Sequence, residues 1–161
     1  MHDSNLSAER TAQIEKETFQ HLQNINGLIK NPLGRENGFE LLGQIDSDEL
    51  SPGLKMYFYY VKGKYYNLEY RNNDDKNIEL LERANDCFDE ITYTAKVNGL
   101  RVKSPKYLFV RAFTKFQLSE RHSAQILKEK FLNHSLYLTE QALKSNRDNN
   151  SLIWLKAEIE K

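Results

Sequence analysis

An all-α fold, a right-handed stack of antiparallel helical hairpins with about seven helices, is what this sequence predicts, and three observations carry the expectation. Seven of the eighteen aromatic residues fall between Met56 and Arg71, arranged on two sides of one helix. A five-residue pattern recurs at intervals suited to helical hairpins, and the three prolines all stand where a helix would begin or end.

At about 100° per residue, Tyr57, Phe58, Val61, Tyr65 and Leu68 gather on one arc of the aromatic helix. Tyr59, Gly63, Tyr66 and Tyr70 gather on a second, nearly opposite arc. A surface helix has one apolar stripe; two stripes require neighbours on both sides, as in a stack. The pentads Tyr59-Tyr60-Val61-Lys62-Gly63, Leu108-Phe109-Val110-Arg111-Ala112 and Ile153-Trp154-Leu155-Lys156-Ala157 share the order apolar, aromatic, apolar, basic, small. In each, a small residue on the first helix of a hairpin allows the second helix to come close.

Taken in order, the first helix spans about 4–30 and ends before Pro32, because the residue ahead of proline is pushed out of the helical region. A short second helix covers about 35–45. Ser51-Pro52 places an N-cap serine before proline at the first helical position, where its missing N–H costs nothing, and opens the helix 52–71. The polar turn Asn72-Asn73-Asp74-Asp75 leads into a fourth helix over 75–98, whose stripe is Leu81, Ala84, Phe88, Ile91 and Ala95 and whose end is marked by Asn98-Gly99. Ser104-Pro105 opens the fifth, 105–119. The sixth, 123–145, carries Leu127, Phe131, Leu138 and Ala142 with His134 and Ser135 among them, and the seventh spans 149–160. Short turns between long helices imply antiparallel hairpins. One domain over 1–161 follows: an N-terminal helix pair at 1–50, hairpins at 51–99 and 104–146, and a capping helix at 149–161.

With 39% hydrophobic and 29% charged residues, the chain has a globular profile rather than that of a disordered one. Lys and Arg total 23, as do Asp and Glu, so no global charge draws it to nucleic acid or anionic membrane. The densest basic stretch, Arg101-Val102-Lys103-Ser104-Pro105-Lys106, reads as a solvated turn between helices. A single cysteine, Cys87, excludes an internal disulfide and reads as a small buried hydrophobe. With no apolar leader and no run of the roughly 18 apolar residues that cross a bilayer, the expected location is cytoplasmic. The sequon Asn133-His134-Ser135 lies in a helical stretch and reads as a chance match.

Catalytic and metal signals are missing. His2, His21, His122 and His134 show no ligand spacing with one another or with Cys87. Asp46-Ser47-Asp48-Glu49 and Asn73-Asp74-Asp75 suit helix caps and lack the spaced oxygens of a calcium loop. No phosphate-cradling glycine loop or nucleophile elbow is present. The chain reads as no enzyme, with no cofactor and no metal.

Tyr59, Gly63 and Tyr66, followed by Ala84, Phe88 and Ile91, resemble the paired-helix pattern of the tetratricopeptide-repeat superfamily. The departures are a spacing from Gly63 to Ala84 about nine residues too long for a repeat of roughly 34, Lys62 where leucine is usual, and no proline ending the second helix. The stretch 54–96 also resembles, more loosely, a helical pair of the 14-3-3 proteins, through Met56-Tyr57-Phe58, Lys62-Gly63-Lys64-Tyr65-Tyr66 and Asp74-Asp75-Lys76. Tyr60 and Asn67-Leu68 stand where that family holds phosphate, so this likeness implies architecture alone.

The tetratricopeptide likeness implies a concave groove lined by the first helix of each hairpin. In its register the groove row is Tyr60, Lys64, Asn67 and Arg71, continued 49 positions on by Phe109, Phe113, Phe116 and Glu120, with Trp154 and Glu158 from the last helix. Cation and amide donors beside aromatics suit a peptide with an acidic group and an apolar anchor. The phenylalanine row fits a buried core equally well. The expected function is a non-enzymatic protein–protein interaction module, an adaptor, chaperone or regulator. A self-association module, with the aromatic helix packed on another copy, is the alternative, and a nucleic-acid-associated regulator using Lys103, Lys106 and Arg111 a weaker one.

Overall fold

The computed structural model describes residues 2–161, with side chains from Asn5 onward; the side chain of His2 lies outside the described residues. It contains α1 (His2–Lys30), α2 (Arg35–Gly43), a 3-10 turn (Ser47–Glu49), α3 (Pro52–Asn72), α4 (Ile78–Val97), α5 (Pro105–Arg121), α6 (Gln125–Ser145) and α7 (Asn150–Ile159), with no strand among the described residues.

The caps explain the helix ends. Ser104 and Asn149 accept backbone N–H groups from Tyr107 and Leu152 at 3.5 and 3.1 Å, satisfying donors that the first turn leaves free. After α4, Gly99 takes φ +65°, while Leu100 N–H reaches the Ala95 carbonyl and Gly99 N–H that of Lys96, the paired bonds of a Schellman close. Two N-caps differ from expectation. Ser51 makes no side-chain cap. The fourth helix starts at Ile78 rather than 75, because Lys76 sits at φ 47° and Asn77 accepts from Glu79 N–H.

Both arcs of α3 are covered. Phe58 and Val61 pack with Leu22, Ile25 and Ile29 of α1 and Leu42 of α2. On the other side Tyr66 joins Ala84, Cys87, Phe88 and Ile91 of α4, with Tyr107 of α5, and Tyr70 joins Leu81 and Leu118. A Cβ built on Gly63 would stand 2.5 Å from Phe88 Cε1, so the missing side chain is what lets α4 lie this close. Ala112 plays the matching part between α5 and α6: it is fully buried, and its carbonyl accepts Ser135 Oγ at 2.7 Å. Ala157, third in the pattern, is exposed.

Direction follows from paired contacts. Phe19 meets Tyr57, and Asn26 meets Lys64, both 38 positions apart, so α1 and α3 run parallel. Tyr107 contacts Phe88 and Thr92, while Lys115 reaches back to Asn85, so α4 and α5 run antiparallel. These contacts fit stacked hairpins with α1, α3 and α5 side by side in one layer.

The α5–α6 seam is more polar than the apolar spacing suggests. Ser135 and Thr139 are fully buried, whereas Leu127 is 37% exposed. Each hydroxyl donates to a backbone carbonyl, Ser135 to Ala112 and Thr139 to Ser135, so burial leaves neither unpaired.

Candidate functional site

The predicted groove row divides. Tyr60 and Lys64 line a cavity of about 540 Å³ between α1, α3 and the start of α5, within the usual range of binding sites, roughly 300–1,000 Å³. Asn67 is turned toward α5, its Nδ2 donating to Thr114 Oγ1 at 3.3 Å while its Oδ1 is buried without a partner. Arg71 is exposed at the far end of α3. The phenylalanine row lies elsewhere: Phe109, Phe113 and Phe116 are half-buried around Ala112, Leu155 and Ile159, Phe109 stacks on Phe113, and Phe113 meets Trp154 at 5.9 Å between ring centroids. They form the seam that holds α7.

What joins Tyr60 and Lys64 is a set of cations that sequence spacing does not connect with them. Lys30 comes from the last turn of α1, and Arg101, Lys103 and Lys106 from the α4–α5 connection and the first turn of α5. With Lys64 they make five cations around one cavity, and no aspartate or glutamate lines it. In a chain with equal numbers of acidic and basic residues that is a marked local separation of charge. Met56, Tyr57, Ile91, Val102 and Tyr107 supply apolar wall, Asn26 an amide, and Ser104 a hydroxyl. The basic run 101–106 that reads as a solvated turn is thus one wall of the site.

The electrostatics are unbalanced. Lys64 Nζ has only a long contact to Asn26 Oδ1, 3.4 Å, and the face of Tyr60 at 5.3 Å from the ring centroid. Burial, then the charges of Lys30 and Lys106, bring its pKa down to about 8. The N-terminus of α5 adds the positive end of a helix dipole. An arriving anion would relieve repulsion already present.

A second cavity, of about 820 Å³, lies on the other side of the same connection, lined by Lys96, Arg101, Lys103 and Arg111 among polar and apolar residues and likewise without a carboxylate. Its field for anions is weaker on two counts. Two helix C-termini border it, those of α4 and α6 at Lys96 and Ser145, against the one of α1 at Lys30 beside the first cavity, and Arg111 is engaged by Asp89 at 3.6 Å. The first cavity is therefore the candidate site.

Burial pushes the Cys87 thiol up to about 12, far from a thiolate. His134 is lowered, first by burial and then by Lys115, and has no ligand set beside it. Among the described residues no three His, Cys, Asp or Glu side chains gather as a metal site, and no helix is long and apolar enough to cross a membrane.

No family model, no curated protein and no solved structure matches this chain.

Proposed function

We propose that the protein is a non-enzymatic binding module that holds an acidic segment of a partner protein in the groove between α1, α3 and α5. The observation that carries this reading is the cavity ringed by Lys30, Lys64, Arg101, Lys103 and Lys106 without a single carboxylate. Carboxylates of the segment pair with these lysines, while Met56, Tyr57 and Tyr60 offer an apolar seat beside them. Part of the energy is the relief of like-charge repulsion, and charge complementarity mainly sets approach rate and selectivity.

Fluorescence anisotropy with a labelled, glutamate-rich peptide containing one leucine tests the reading. Charge reversal at Lys30 and Lys64 should weaken binding at least about tenfold, equivalent to about 1.4 kcal/mol, and raised salt should shrink the difference. Arg71→Glu, outside the cavity, serves as the control and should leave affinity unchanged. Equal binding by wild type and the Lys30/Lys64 double reversal sinks the groove reading. Displacement of the peptide by single-stranded oligonucleotide at lower concentration than by free peptide moves the assignment to nucleic acid.

One observation favours self-association as a second reading. Residues 5–17 of α1 are all exposed, Leu6 and Ile14 among them, and the buried residues that anchor the helix, Leu22, Ile25 and Ile29, lie in its later turns. Light scattering of the intact chain against a variant with Leu6 and Ile14 changed to serine decides it: a dimer that becomes a monomer supports this reading, and a monomer in both cases removes it.

A further inference from the structure

We propose that Ser104 is a phosphorylation site whose phosphate occupies the lysine-lined cavity and closes the groove to its acidic partner. The inference deepens the groove reading and rests on it for the regulatory step. Its structural part, the seating of a phosphate among the cations, stands on the cavity alone.

Ser104 lies in the α4–α5 connection, where residues 100–104 belong to no helix. Arg101, Lys103 and Ser104 are exposed, and Ser104 itself is extended at φ −60° and ψ 119°. An exposed extended serine followed directly by Pro105 is the form a proline-directed kinase accepts, and Lys103 and Lys106 flank it. The step is a phosphoryl transfer. Ser104 Oγ attacks the γ-phosphorus of a nucleoside triphosphate, the bond to the β-phosphate oxygen breaks, the diphosphate leaves, and the hydroxyl proton passes to the kinase's base.

The same residue lines the cavity with Lys30, Lys64, Arg101, Lys103 and Lys106. Its hydroxyl now makes only a long N-cap contact, 3.5 Å, with Tyr107 N–H. A phosphate there carries nearly two negative charges and three strong acceptor oxygens, at the positive end of α5 and in a cavity that no carboxylate lines. It thereby takes the place a partner's carboxylates would fill and removes much of the charge that would draw them.

The intact protein is incubated with magnesium ATP and a proline-directed serine/threonine kinase, with a Ser104-containing peptide phosphorylated in parallel as the kinase control. In a Ser51→Ala background, which removes the other Ser-Pro pair, intact mass and peptide mapping should show one phosphate, absent once Ser104→Ala is added. Failure of the folded protein to accept phosphate while the control peptide does overturns the proposal. Titration followed by ³¹P resonance should place the second phosphate ionisation below its ordinary value of about 6, moving back toward that value in a Lys30→Gln/Lys64→Gln variant. An ordinary value insensitive to both substitutions overturns the seating of the phosphate. With the glutamate-rich peptide, phosphorylation should weaken binding at least about tenfold relative to the same protein before kinase treatment; undiminished binding overturns closure. A peptide that fails to bind even the unphosphorylated protein removes the groove reading and with it the regulatory step, while the ³¹P titration still decides the phosphate's seat.

Discussion

Replacing Gly63 by alanine sets two known effects against each other. In an open helical site alanine stabilises relative to glycine by roughly 0.5–1 kcal/mol, through backbone entropy. At Gly63 the added methyl would stand 2.5, 2.8 and 3.1 Å from Phe88 Cε1, Cζ and Cδ1, distances that force something to move. Phe88 is fully buried, so its ring has no solvent to swing into, and the strain falls on the α3–α4 spacing. Overpacking of this kind costs about 1–3 kcal/mol. The net change is then a loss of roughly 0–2.5 kcal/mol, with Gly63→Leu worse. Gly27 supplies the internal control, since a methyl added there would meet nothing within 4 Å. Gly27→Ala should raise Tm by about 1–4 °C for a chain of this size, and Gly63→Ala should fall below it by about 2–12 °C. Urea denaturation of both variants beside wild type measures the difference. Combining Gly63→Ala with Phe88→Leu should show favourable coupling of about 0.5–3 kcal/mol, because the shorter side chain removes the clash. If Gly63→Ala is as stable as Gly27→Ala, the helices do not depend on this approach and the repeated small residue has no structural meaning.

Three further outcomes follow from the charged and polar contacts. Lys64 has a folded pKa of about 8 against 10.5 for an ordinary lysine, so between those values the folded state holds fewer protons than the unfolded one; the stability of wild type relative to Lys64→Met should therefore be lowest below pH 8 and recover as pH rises through that window, as paired urea titrations at pH 7 and 10 would show. Asp89→Asn strips Lys115, 2% exposed, of its carboxylate partner, found at 3.3 Å, and loosens Arg111; since Asp89 is itself half exposed, a loss of about 1–3 kcal/mol is expected, largely absent in a Lys115→Met background by thermal denaturation. Ser135→Ala should cost about 0.5–1.5 kcal/mol by losing its bond to the Ala112 carbonyl, and a variant more stable than wild type would show that bond to be dispensable.

The fold is legible where a residue's type alone constrains its surroundings. Glycine among aromatics at position 63 has few explanations besides close approach, and α3 does meet Phe88 there while its other arc meets α1 and α2. Asn98-Gly99 and Ser104-Pro105 mark helix ends by local chemistry and stand at helix ends here. The start of α4 falls later than the polar turn predicts because Asn72, Asn73 and Asn77 have equivalent capping chemistry, and only the left-handed turn at Lys76 selects the last of them. On α6 the apolar residues draw attention from Ser135 and Thr139, since spacing cannot show that a hydroxyl will find a carbonyl on the facing helix.

The lysine-lined cavity is legible only in pieces. Tyr60 and Lys64 come from the helical register of α3, and the run 101–106 stands out by charge density, yet nothing in the chain connects them across some forty positions. Lys30 belongs to another helix again, whose alignment with α3 depends on packing between Phe19 and Tyr57. Their meeting is a consequence of parallel first helices: once α1, α3 and α5 lie side by side, the end of one, the middle of the next and the start of the third fall around one space. The Phe109, Phe113 and Phe116 row shows the converse. It shares a face with Ala112 and continues the same 49-residue offset, but α7 packs on it and leaves the three rings half-buried in a seam. Equivalent positions in successive hairpins therefore do different work according to what packs on them, and a row transferred by offset holds only as far as the next helix leaves it open.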